Sequence, residues 1–180
     1  PDLGAVAHQA VIEQAGLSPA DIDEVITGCV LQAGIGQAPG RQAAIKAGIP
    51  NSAGATTINK MCGSGMQAVI MGKNAIIAGE ADIVVAGGME SMTNAPYMLT
   101  KHRSGARLGH DSLKDSMFLD GLEDAYEPGR AMGSFAEETC TEYQFTREAQ
   151  DEYALRSLSR ANEAIASGAF DREIVPVEVV

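Results

Sequence analysis

The sequence predicts an α/β fold on a mostly parallel sheet, and three observations carry that prediction. Residues 56–61 form a short run rich in β-branched side chains. Residues 63–78 place apolar side chains at helical spacing, and residues 83–86 form a wholly apolar run that meets Gly87-Gly88. Strand, helix and strand in this order make a βαβ crossover, which joins parallel strands and covers both faces of the sheet.

The elements follow in order. Residues 3–15 read as a helix, with Asp2 placed to cap its start and Gly16 to end it. Ser18-Pro19 opens a short helical turn, and residues 24–30 read as a strand. Gly34, Gly36 and Gly40 mark an irregular loop, in which Pro39 suits the first position of a helix ending at Gly48. In the crossover helix Met66, Val69, Ile70, Ile76 and Ile77 form the apolar stripe, and Gly79 stops it. After Met92 the character changes. Residues 93–130 hold many Gly, Asp, Met, Arg and Lys without a sustained period, the pattern of a long surface excursion that carries function or subunit contacts. Two helices follow near 132–143 and 147–166, the second capped by Thr146 and stopped by Gly168, and residues 173–180 read as a strand. With three inner strands, none before the first helix and nothing after the last strand, the expectation is one part of a larger fold.

Composition narrows the partners. Thirteen basic against twenty-four acidic residues give a net charge of −11, which speaks against nucleic acid and anionic membrane surfaces. An anionic small ligand held by a few local donors stays compatible with it. Cys29, Cys62 and Cys140 are odd in number and never form C-x-x-C, so neither a disulfide framework nor a zinc site is expected. His8, His102 and His110 lack the i, i+4 pairing of a metal site, and no metal is expected. No run has the eighteen or so apolar residues of a membrane span, and the opening Pro1-Asp2 is not a secretory start. The expectation is a soluble, cytoplasmic protein without a membrane partner.

The chemistry concentrates at Cys62. The stretch from Ile58 to Met66 sets this cysteine on the last residue of a strand, directly before a helix. Ligands of open α/β sheets bind at the carboxyl ends of the strands. A helix N-terminus there offers unpaired N–H groups and about half a positive charge, which favours thiolate over thiol. The same N–H groups can receive the oxyanion formed when a thioester carbonyl is attacked. Gly63 and Gly65 let the turn be tight. Against this stands the commoner fate of a lone cysteine, a small buried hydrophobe. Cys29, inside an apolar strand, and Cys140, on the Met132, Ala136, Tyr143 face of a helix, take that second reading. The methionines read as core filler, and Lys101, Arg103 and Arg107 as a solvated loop rather than a phosphate site. Neither glycine cluster fits a nucleotide-binding loop.

The run from Asn59 to Gly65 resembles the active-cysteine motif of thiolases, and the similarity continues elsewhere. The segment from Gln32 to Ala43 is similar to the thiolase loop and helix before that strand, and Ala86 to Tyr97 to the family's next βα junction. Asp120-Gly121-Leu122, Met132-Gly133 and the run from Glu173 to Val177 follow in family order. The resemblance implies a layered α-β-α fold of two similar halves. Residues 1–92 would be the amino-terminal α/β domain without its first strand, and 93–180 a truncated loop domain that covers substrate and makes oligomer contacts. It further implies that Cys62 is the acylated nucleophile, its own N–H part of an oxyanion hole, in ping-pong transfer between CoA thioesters. Leu122 and Met132 fall where thiolases line the pantetheine channel, with plain packing as the competing reading. Acyl-CoA and CoA would be substrates, with no other cofactor. A homodimer or homotetramer is implied, with the 56–59 strand as a pairing edge.

Ala131 stands where many acetoacetyl-CoA thiolases carry histidine, a departure that weakens the resemblance to that subgroup and its substrate. The Gly-His-Pro histidine, the second cysteine and the Asn-Glu-Ala-Phe segment of the family do not occur in these 180 residues. On that pattern this piece alone would be inactive. Two further classes stay open. A ketoacyl synthase usually carries bulkier or serine-rich residues after the cysteine, unlike Gly63-Ser64-Gly65. A non-catalytic acyl-CoA or lipid binder would lack the histidine and second cysteine altogether.

Overall fold

A computed structural model describes residues 1–178. The chain forms two compact units, Pro1–Leu122 and Glu123–Val180.

The first unit is built on three parallel strands, β1 (Glu24–Gly28), β2 (Gly54–Ile58) and β3 (Val84–Gly88), in the order β2-β1-β3. The register runs straight across, so that Gly28 lies opposite both Ile58 and Gly88. All three strands therefore end at one edge. Strand alternation assigns the faces. Val25 and Thr27 point to the side of α1 (Asp2–Gln14) and α2 (Pro39–Lys46), where Ile12, Ala44, Ile49 and Val85 complete the apolar core. Gly28 points to the opposite side, where α3 (Ser64–Ala78) packs. A Cβ on Gly28 would stand 2.6 Å from the Ser64 Cβ and 2.9 Å from the Gly65 nitrogen, so only glycine lets this helix start so close to the sheet.

The crossover helix corrects its sequence reading. The side that meets the sheet carries the small residues Ser64, Ala68 and Gly72, at i, i+4 and i+8. A Cβ on Gly72 would come within 3.0 Å of a Val84 methyl, which shows how near the helix axis lies to β3. The expected stripe faces outward instead, with Met66 74% and Ile77 72% exposed and Val69, Ile70 and Ile76 alongside. The helical period was legible, but close helix–sheet approach reserves the inner face for small side chains.

Other boundaries shift for local reasons. Asp2 does not cap α1: the helix has no side-chain cap, and the Asp2 carboxylate pairs with Lys46 of α2. Ser18 does cap its short turn, accepting the Ala20 N–H while Asp21 accepts the Ser18 N–H in return. Gly40 lies inside α2 rather than in a loop, its N–H donating to Thr57 Oγ1 at 2.9 Å. β1 ends at Gly28, two residues before the expected Val30.

Residues 93–122 pack with the first unit, although the composition changes at Met92. They carry a two-residue antiparallel ladder, β4 (Tyr97–Met98) with β5 (Lys114–Asp115), and a wide helical turn over Phe118–Leu122.

The second unit holds α4 (Met132–Glu142) and α5 (Arg147–Ala166). Thr146 Oγ1 accepts the Ala149 N–H at 3.2 Å to cap α5, and Gly168 follows it at φ +66°. Arg130 pairs with Glu127 and Glu138 and lies 3.9 Å over the Phe135 ring. Cys140 is half-buried, not core, and Met132 and Tyr143 on its helix are exposed. Residues 174–178 have no regular structure, so the expected strand over 173–180 is absent there, and its last two positions lie outside the described residues. Among the described residues no helix is long and apolar enough to cross a membrane.

Candidate functional site

The shared carboxyl edge of the three strands is where the placed chemistry collects. β2 ends at Ile58, so Cys62 is not the last residue of a strand; a hydrogen-bonded turn of residues 59–63 carries it to α3. Asn59 Oδ1 accepts the Met61 N–H at 3.0 Å. Met61 takes φ +49°, a left-handed conformation rare for a residue with a side chain. The Gly63 N–H returns to the Lys60 carbonyl at 3.2 Å, and the Ser64 N–H to the Met61 carbonyl at 3.0 Å. The Ser64 hydroxyl accepts the Lys60 N–H at 2.9 Å and donates to the Met61 carbonyl at 2.5 Å. Tightness expected from Gly63 thus comes from Met61, since Gly63 itself has φ −88°. Gly65 has another use: a Cβ there would lie 3.8 Å from the Gly88 nitrogen, so the helix start runs along the exit of β3.

This turn leaves Cys62 exposed. Its own N–H makes no hydrogen bond among the described residues. The helical ladder begins with the Gln67 N–H on the Gly63 carbonyl at 2.9 Å, so the amides of Gly65 and Met66 precede it unpaired by the helix.

Cys62 lines an open pocket of about 390 Å³. Gly28, Gly65 and Gly88 bring its floor close to the strand ends, and Leu31 and Leu122 contribute apolar wall. Met61, Met89, Met92 and Met117 line it as well, so half of the eight methionines are pocket wall rather than core filler. Thioethers are polarisable and adapt their shape, which suits them to an apolar group of variable form.

Glu90 is the one charged residue of the wall. Its carboxylate accepts the Val30 N–H at 3.0 Å and the Leu31 N–H at 2.9 Å, tying the chain after β1 to the chain after β3. The Cys29 thiol, 3% exposed, donates to the same carboxylate at 3.7 Å. Burial, and then the Glu90 charge, push this thiol up to about 11. Cys29 stays protonated and quiet, as its core reading anticipated, while Cys62 stands open.

No histidine lines the pocket. His8 is buried in α1 with Nε2 3.3 Å from Thr27 Oγ1, and burial lowers its pKa. His102 pairs with Asp111 at 3.2 Å, and His110 is exposed in the excursion. Lys101, Arg103 and Arg107 are exposed there too. Leu122 is placed at the pocket, whereas Met132 opens α4 in the second unit. The sequence reading missed Ser64, Asn59, Glu90 and the four methionines. One signal was available for most of them: Asn59, Met61 and Ser64 follow β2, and Met89, Glu90 and Met92 follow β3, where ligand-facing residues of a parallel sheet fall, whereas Met117 follows the antiparallel β4–β5 ladder.

Comparison with known proteins covers the chain from end to end. The family described as thiolase, N-terminal domain, matches residues 1–180. The acetyl-CoA acetyltransferase of Cupriavidus necator is 54% identical over 177 residues, spanning 98% of this chain and 45% of that protein. Acetyl-CoA acetyltransferase 2 of Arabidopsis thaliana is 52% identical over 177 residues, 98% of this chain and 44% of that protein. In three dimensions the Acat5 thiolase of Ascaris suum, solved in complex with coenzyme A, superposes with a TM-score of 0.94. Its identity is 45%, over 99% of this chain and 46% of that one. The chain thus spans somewhat less than half the length of the relatives it matches.

Proposed function

We propose that this chain, which belongs to the thiolase family through its N-terminal domain, receives an acyl group from an acyl-CoA thioester on the sulfur of Cys62. One observation carries the reading: the cysteine is exposed in an apolar pocket at the carboxyl edge of a parallel sheet, with unpaired amides beside it. The Cys62 thiolate attacks the thioester carbonyl, forming a sulfur–acyl bond. The bond from the acyl carbon to the CoA sulfur breaks, and CoA leaves as a thiolate that takes up the proton given up by Cys62. The N–H of Cys62 serves as one donor to the oxyanion of the tetrahedral intermediate. A second acceptor, either CoA or the enolate of another acetyl-CoA, then takes the acyl group, giving thiolysis or condensation by a ping-pong route.

The pocket's few free polar groups suit it to the apolar portion of such a substrate. Leu122 and Met132 are assigned to the pantetheine arm, and residues 93–180 to a loop domain over the substrate. The proton carrier is assigned to groups other than His8, His102 and His110, none of which reaches the pocket wall. The protein acts as a homodimer or homotetramer. The edge of β2 supports this, since among the described residues β2 pairs with β1 alone and leaves a row of main-chain groups open. A cytoplasmic setting in acyl-CoA and fatty-acid metabolism agrees with a Gibberella zeae relative described as cytosolic. In the complete protein, Cys62→Ala removes thiolysis of a 3-ketoacyl-CoA. Because the side chain is exposed, the loss of stability stays within about 0.5 kcal/mol. Turnover retained by this variant would contradict the assignment.

A further inference from the structure

We infer that Ser64, assisted by Asn59, is a positioning residue for Cys62: its buried hydroxyl fixes the left-handed turn on which the cysteine stands. The inference rests on the acyl-cysteine reading and adds to it the groups that hold the sulfur in place.

The hydrogen bonds around the turn are nearly complete on either side of the cysteine. The Ser64 hydroxyl takes the Lys60 N–H at 2.9 Å and gives its own proton to the Met61 carbonyl at 2.5 Å. The same Met61 carbonyl also accepts the Ser64 N–H, at 3.0 Å. The Lys60 carbonyl accepts the Gly63 N–H at 3.2 Å, and Asn59 Oδ1 accepts the Met61 N–H at 3.0 Å. Every polar main-chain group of residues 60 and 61 is thereby occupied, and the N–H of Cys62 is left over. An arrangement that satisfies its neighbours and spares that one donor is what an oxyanion site requires.

Two features separate this from ordinary capping. Gly63 is the N-cap residue of α3 and Ser64 the first residue inside the helix, so the hydroxyl reaches back into the turn instead of closing the helix. Met61 at φ +49° is also held in a conformation that persists only where surrounding bonds over-determine it. Ser64 is 5% exposed, so water cannot easily replace the hydroxyl. Without it, the Lys60 N–H loses its partner and Met61 can relax to negative φ. The Cys62 sulfur, one residue on, then moves off its place.

The test is single-turnover acylation of Cys62 in the complete protein by acetyl-CoA, followed by rapid quench and peptide mass spectrometry. Ser64→Ala is expected to slow acylation by about ten- to a hundredfold, the scale of a reacting group displaced by about 1 Å. The acetyl-CoA concentration giving half-maximal rate should stay within about threefold, because the substrate's own contacts are kept. Because Met61 also lines the pocket, rescue by glycine is read against Met61→Gly alone: in that background Ser64→Ala should slow acylation by less than about threefold, since glycine adopts positive φ without support. A role confined to packing would show no such rescue. Asn59→Ala, a change at an exposed residue, should slow acylation in the same sense, and it carries the test if Ser64→Ala does not fold. Acylation at the wild-type rate in Ser64→Ala, absence of rescue in the double variant, or an unaffected Asn59→Ala when that variant is the one tested, would overturn the inference. Failure of the underlying reading shows separately, as a wild-type protein that acquires no label on Cys62.

Discussion

Replacing Glu90 should loosen the pocket wall and leave the core intact, and the size of the effect follows from its hydrogen bonds. The carboxylate accepts two main-chain N–H groups, from Val30 and Leu31, at 3.0 and 2.9 Å. Hydrogen bonds to a charged acceptor contribute about 1.5–3 kcal/mol each when shielded. These two amides lie in half-buried residues where water can enter, which brings the pair down to about 2 kcal/mol in total. Glu90→Ala is therefore expected to lose about 2 kcal/mol in urea denaturation, with an unchanged slope against denaturant. Glu90→Gln keeps one acceptor oxygen but turns an NH₂ group toward the second donor, and should lose about half as much. A second readout comes from Cys29. Its thiol is raised to about 11 first by burial and only then by Glu90, so Glu90→Gln should lower it while leaving it above an ordinary thiol. Alkylation with iodoacetamide should accordingly label Cys62 first in both proteins, with Cys29 faster in the variant than in the wild type. A Glu90→Ala protein as stable as wild type, with Cys29 reactivity unchanged, would refute the bracing role.

Two other predictions concern acid and close packing. His8 is buried and its pKa lies below the ordinary 6.5, so the unfolded chain binds a proton that the folded chain refuses. Its contribution is whole above pH 6.5 and is lost as pH falls through the lowered value. Asp23, held below 3.8 by the Ile83 and Asp82 amides, acts at lower pH still, so urea midpoints at about pH 7.5 and 5.5 isolate the histidine. His8→Gln should flatten the difference between them. Gly28→Ala should cost more than about 3 kcal/mol and suppress Cys62 acylation, because its Cβ would meet the Ser64 main-chain carbon at 2.7 Å. Thermal denaturation and the acylation assay check both halves of that statement.

What the sequence disclosed, and what it withheld, follows from the range of the interactions involved. The βαβ order, the short turn opened by Ser18-Pro19, the capping by Thr146 and the stop at Gly79 depend on residues a few positions apart, and they were legible. The inner face of α3 was not, because its identity depends on how closely the helix approaches Val84 and Gly28, partners distant in the chain. Asp2 looked like a cap until Lys46, forty-four residues away, proved to be its partner. The residues from 174 to 178 have strand-like composition but no ladder to join. At the site, Cys62 and Leu122 could be singled out from the motif. The turn that presents the cysteine could not, since a left-handed Met61 is dictated by Asn59 and Ser64 acting together and not by any residue's own preference. Glu90 escaped notice for a similar reason: its carboxylate reaches across sixty residues to amides that no local pattern marks as unpaired.

The most direct measurement is the position of the covalent group. The complete protein is incubated with isotopically labelled acetyl-CoA and no acceptor, quenched in acid, digested and mapped by mass spectrometry. One acetyl group per chain on the peptide bearing Cys62, discharged on adding CoA, is the expected result. An enzyme that turns over without any label there, or that carries its label on Cys29 or Cys140, would contradict it.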